Sequence, residues 1–111
     1  MKTELQQDLN LAKELVAKGD KLAKLMKNRE FKEIILEDYL KEEALRLTGI
    51  LGQVTDEVRP KVIAELEAIS KLQNHFRMIE AIAEQAKVRI ADIEAEIENI
   101  EEAEFTQVYE G

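Results

Sequence analysis

No cysteine occurs in the 111 residues, which excludes disulfides and thiolate metal sites and leaves the redox compartment open. Proline appears once, at Pro60, and aromatic residues make up only 5% against 36% charged. That balance is the profile of long helices and coiled coils. No apolar run approaches the roughly 20 residues needed to span a bilayer, so no membrane partner is expected. Met1 to Asp8 lacks the apolar centre of a signal peptide, and a soluble cytoplasmic protein is the default expectation. His75 is the single histidine and Ser70 the single serine. A metal site needs several converging ligands, and a di-iron bundle needs Glu-x-x-His on two helices; one histidine provides neither. P-loops, Gly-rich phosphate cradles and nucleophile elbows are absent. No catalytic, metal or cofactor-binding residue is therefore assigned, no cofactor is expected, and the chain reads as a non-enzyme of one domain at most.

What the sequence does contain is a stripe. From Ile69 the apolar residues fall at Leu72, Phe76, Ile79, Ala83, Ala86, Ile90, Ile93, Ile97 and Ile100. The steps alternate three and four, which keeps one narrow seam on one side of a helix. Val62 to Ile100 would extend roughly 60 Å at about 1.5 Å per residue. Such a helix cannot bury its seam on itself and needs other helices from this chain, a second copy or a different protein. The small residues Ala83 and Ala86 suit a close backbone approach.

Two further helices precede it. Leu5, Leu9, Ala12 and Val16 form one stripe, with Leu11 and Leu15 beside it, in a helix over 3–27 where Gly19 is a weak point or kink, since glycine costs about 1 kcal/mol in a helix interior. Asn28 is a good N-cap for a second helix over 29–51. Its wide apolar face includes Phe31, Ile35, Tyr39 and Leu47, with Gly52 as the C-terminal stop. A turn over 52–56 follows, with Thr55 or Asp56 to cap a third helix over 57–103 and Pro60 near its start. Residues 104–111 are a short acidic tail in which Phe105, Val108 and Tyr109 either extend the helix or dock. The expected fold is all-α: an elongated antiparallel helical hairpin or a three-helix coiled-coil-like bundle, with one long C-terminal helix.

Charge is divided along the chain. After Arg89 there is no Lys or Arg, while Asp92, Glu94, Glu96, Glu98, Glu101, Glu102, Glu104 and Glu110 account for the whole net charge of -8. Earlier, Lys13, Lys18, Lys21, Lys24, Lys27, Arg29 and Lys32 outnumber the nearby acids. In the hairpin, facing residues would place Lys13 near Glu96 and Glu98, Lys18 near Asp92 and Lys27 near Glu84. Each exposed pair is worth only about 0–1 kcal/mol, but the pattern would set register. The alternative folds back at Asn28 and leaves Ile93, Ile97 and Ile100 exposed; we favour the hairpin. Paired carboxylates such as Glu42-Glu43 and Glu101-Glu102 point in different directions on a helix and read as solvated faces. Direct nucleic-acid binding is disfavoured by the overall acidity. The acidic arm, represented by Glu94, Glu98, Glu101 and Glu102, would instead suit a nucleic-acid mimic that inhibits a host protein.

Two segments carry a resemblance. Asn28-Arg29-Glu30-Phe31-Lys32-Glu33-Ile34-Ile35-Leu36-Glu37-Asp38-Tyr39, then Glu43-Ala44-Leu45-Arg46-Leu47, is similar to a group of small helical proteins of tailed bacteriophages. The later segment Ala68-Ile69-Ser70-Lys71-Leu72-Gln73-Asn74-His75-Phe76-Arg77 continues the likeness, which covers about residues 20–90. The resemblance implies a structural or assembly accessory of the virion head, placed in the host cytoplasm or the virion. Expected partners are proteins: a second copy, giving a homo-oligomer, or a larger virion or host protein.

Overall fold

The computed structural model describes the backbone of residues 1–110 and the side chains of residues 1–106. Helix α1 spans Lys2–Met26, α2 Arg29–Phe31, a π-helical stretch Lys32–Glu43, α3 Ala44–Ile50 and α4 Arg59–Glu110. No strand occurs among the described residues. The fold is all-α. The chain divides into two compact units, one of Met1–Asp20 with Ile79–Gly111 and one of Lys21–Met78. Helix α4 contributes to both, because its stripe is longer than either neighbouring helix can cover.

The second unit is a helical hairpin. Asn28 leaves the helical region at φ -67, ψ 129, and its side chain accepts a hydrogen bond from the Phe31 N–H at 2.9 Å. That satisfies one of the donors orphaned at a helix start. α2, the π stretch and α3 then run on without a break, their junctions at Phe31 and Ala44 both being helical. The π turns change which residues face inward. Buried and half-buried positions step from Phe31 to Ile35 and Leu36 and then to Leu40, and only beyond Glu43 tighten to Ala44, Leu47 and Ile50. Bonding from i to i+5 takes more residues per turn than an α-helix does. Tyr39, expected on the inner face from an α spacing, is consequently carried to the edge and is 36% exposed. Ile34 and Leu45 also stay exposed, so the buried face is narrower than the composition suggests.

Around the turn, Leu47, Val62 and Ile69 form the core, with Leu40, Ala44, Ile50, Leu51, Val54 and Leu66 packed against it. The turn is longer than expected, running from Leu51 to Val58. Gly52 does not act as a left-handed stop, since no described glycine has positive φ. Arg59 does that work from the other side. Its Nε donates to the Leu51 carbonyl at 3.4 Å, Nη2 donates to the Val54 carbonyl at 3.3 Å, and Nη1 pairs with Asp56. A guanidinium on the last carbonyls of a helix supplies both hydrogen bonds and favourable charge. The start of α4 is closed by Thr55 through its backbone carbonyl, which accepts from the Val58 and Arg59 N–H groups.

In the first unit α1 lies antiparallel to the C-terminal part of α4. Lys2 meets Glu101 at 3.2 Å, and Asp8 accepts from Arg89 at 3.3 Å. Leu9, Ala12, Ala83, Ala86 and Ile93 are buried here. Ile93 is 1% exposed, so α4 does not project uncovered as a fold-back at Asn28 would require. The register differs from the expected one by roughly two helical turns. The sequence placed Lys13 near Glu96 and Glu98 on the assumption of an uninterrupted α-helical arm. The π turns and the non-helical Lys27–Asn28 step spend residues differently. Glu84, expected near Lys27, takes Lys87 on its own helix instead, at 2.9 Å.

α1 passes through Gly19 without interruption. A Cβ added there would collide with the Ala83 Cβ, so the glycine is a close-approach position rather than a weak point. α4 likewise continues through the segment expected as a tail, to Glu110, because nothing in Ala103–Glu110 breaks a helix. The side chains of Val108, Tyr109 and Glu110 lie outside the described residues.

Gly19→Ala should therefore destabilise the protein, although alanine alone would favour the helix by about 1 kcal/mol. Overpacking typically costs about 1–3 kcal/mol. Urea melts of Gly19→Ala, Ala83→Gly and the double variant should show a favourable coupling of about 1–3 kcal/mol. A Gly19→Ala protein stabilised by the full propensity gain would contradict the close approach.

Candidate protein-docking surfaces

The seam is occupied within the chain. In the second unit Ile69 is buried, Leu72 and Phe76 are half-buried, and Phe31 meets Phe76 edge-on with ring centroids 5.8 Å apart. In the first unit Ala83, Ala86 and Ile93 are buried, and Ile79, Ile90, Ile97 and Ile100 are half-buried. A stripe of alternating three and four holds one neighbouring helix along each stretch. Such packing leaves the flanks of the helix pair open. Candidate docking surfaces therefore lie beside the seam.

An apolar groove of about 360 Å³ lies between α1 and α4 in the first unit. Leu11 and Leu15 form one wall, Ile82 and Gln85 the other, and Ala12 and Ala86 the floor. Leu11 is 58% exposed, Leu15 41% and Ile82 37%. The Asp8–Arg89 pair closes one end. Sequence reading missed this surface. It placed Leu11 and Leu15 beside the first stripe, but without the register it could not bring them to Ile82. The signal was present as the i, i+4 pair of leucines one step off the seam.

The second unit has a smaller, more polar recess of about 320 Å³, lined by Tyr39, Glu43, Arg46, Leu47, Glu65, Ala68 and Ile69. Arg46 donates to both Glu43 oxygens. That hydrogen bond, seconded by the charge of Arg46, holds the Glu43 carboxyl below its ordinary value. Of the second-helix positions expected to make a face, Leu47 is buried, Phe31 and Ile35 are half-buried and Tyr39 lines this recess.

The acidic arm is wholly exposed: Glu94, Glu98, Glu101 and Glu102 all face solvent. Lys2 engages Glu101 and, at 3.9 Å, Glu104. Asp92, Glu94, Glu96, Glu98 and Glu102 make no ion pair among the described residues, and neither do Lys13, Lys18, Lys21, Lys24, Lys27, Arg29 or Lys32. His75 sits beside Phe76 with centroids 6.3 Å apart. No group of three His, Asp or Glu side chains suited to a metal ion, and no helix long and apolar enough to cross a membrane, occurs among the described residues. No protein-family model, curated protein or solved structure matches the chain.

The Glu43–Arg46 pair gives a pH expectation. A carboxyl whose folded-state pKa is depressed contributes stability above its unfolded value and loses it as pH falls through the folded one. An NMR titration should show Glu43 protonating below the ordinary value of a glutamate side chain, and Arg46→Ala should raise its midpoint. A wild-type Glu43 whose midpoint does not move when Arg46 is removed would refute the pairing in solution.

Proposed function

We propose that this is a non-enzymatic structural or assembly protein that works by helix packing, with a virion or head-morphogenesis accessory of a tailed bacteriophage as its setting. The observation that carries the reading is the groove in the first unit. Leu11, Leu15 and Ile82 remain exposed beside a seam that the chain already fills. Exposed apolar side chains that line up along a helix pair are the chemistry of a surface for a further helix. The phage setting is taken from the resemblance read in the sequence of residues 20–90.

The test is sedimentation from native cells. The chain should travel with a large protein assembly, and Leu15→Asp with Ile82→Asp should release it while circular dichroism shows helix content unchanged. A wild-type chain that runs alone in every fraction overturns the reading. Ile93 is unsuited to this test, because it is buried in the chain's own core and its loss would unfold the first unit.

A second reading is favoured by the exposed acids that lack cations: a small inhibitor that mimics nucleic acid on a basic host protein. On that reading, Glu94→Gln, Glu98→Gln, Glu101→Gln and Glu102→Gln together abolish inhibition. Wild-type binding also falls steeply with salt, whereas packing-driven assembly survives both changes.

A further inference from the structure

We propose that the α1–α4 groove of the first unit is a two-fold interface at which a second copy of this chain docks antiparallel, giving a four-helix bundle. The proposal rests on the helix-packing reading above and adds the occupant, its direction and the residues that set it. The argument begins with the groove's layout. Leu11 and Leu15 face Ile82 at its centre. Helical spacing extends each wall beyond them: Leu11, Leu15 and Lys18 share one flank of α1, and Ile82, Arg89 and Glu96 share one flank of α4.

The two ends of this surface carry opposite charge. Toward the start of α1, Glu4 and Asp8 lie on its flank, and Asp92 and Glu96 lie on that of α4; the cations at this end are already engaged, Arg89 by Asp8 and Lys2 by Glu101 and Glu104. At the other end Lys18 is exposed and makes no ion pair among the described residues. An apolar centre between an acidic end and a basic end is self-complementary under a two-fold axis, which lays each end on its opposite. With the axis midway between Leu11 and Leu15, Lys18 of one copy comes level with Asp8 and Asp92 of the other. A parallel pairing would instead set acids on acids. The antiparallel one also buries the leucines and Ile82 of both copies together, as four-helix bundles do.

The absence of native cysteine permits a direct test in the full chain. Lys18→Cys and Asp92→Cys proteins are made separately and treated with a short bismaleimide, alone and mixed. Linked dimer should form in the mixture and not from either protein alone, because like positions sit at opposite ends. Light scattering of the wild type should show a dimer in equilibrium with monomer. Leu15→Gln and Ile82→Gln should each weaken it by about tenfold or more, with helix content unchanged. Lys18→Glu should weaken it, and adding Asp92→Lys should restore it.

A wild type that stays monomeric up to about 1 mM overturns the proposal. So does a dimer indifferent to Leu15 and Ile82, or cross-linking of either cysteine variant by itself. A monomer that nevertheless sediments with a larger assembly through the same groove overturns self-docking alone and leaves the helix-packing reading standing.

Discussion

The structure depends on the need to cover one side of α4. A 52-residue helix with apolar side chains at alternating steps of three and four presents more greasy length than any single partner helix here can match. Burying such a stripe is the main favourable term available to a chain with so few aromatics. α1 covers the C-terminal part in one unit and the second helix covers the N-terminal part in the other. Asn28 makes this division possible, because its extended backbone ends one helix while its side chain starts the next.

Electrostatics act on the surface of this arrangement. The ion pairs are exposed and individually weak, and three of them join residues within a turn of each other on the same helix or its approach. Among the described residues, only Lys2 and Arg89 tie α1 to α4 by charge. Among the described residues the basic arm and the acidic arm form no ion pair with each other. That unspent complementarity separates this molecule from an ordinary amphipathic pair, and it makes surface charge a matter of association more than of folding.

Much of α4 was legible in the sequence because a single period held over ten successive positions. Each of those ten residues lies at a buried or half-buried site. Asn28 was legible for a similar reason: a capping residue followed by an acid and an apolar run has few other uses. The second helix was harder. Phe31, Ile35, Leu36 and Leu40 fit an α-helix with a broad face as well as a π-helix with a narrow one. The choice between them lies in backbone hydrogen bonds that no residue type announces. Gly19 was misread because its context is three-dimensional, the Ala83 methyl on another helix. The groove escaped for the same reason, since it exists only once register brings Leu15 across from Ile82.

The long sequence separation across the first unit has a consequence for how the molecule comes into being. Asp8 and Arg89 are 81 residues apart in the chain, whereas the hairpin around Arg59 closes over a short loop. Loop-closure entropy favours near contacts, and contact order slows distant ones. On the ribosome the hairpin can therefore condense while α1, already made, still waits for its counterpart. During that interval Leu9, Ala12 and Val16 have no permanent cover.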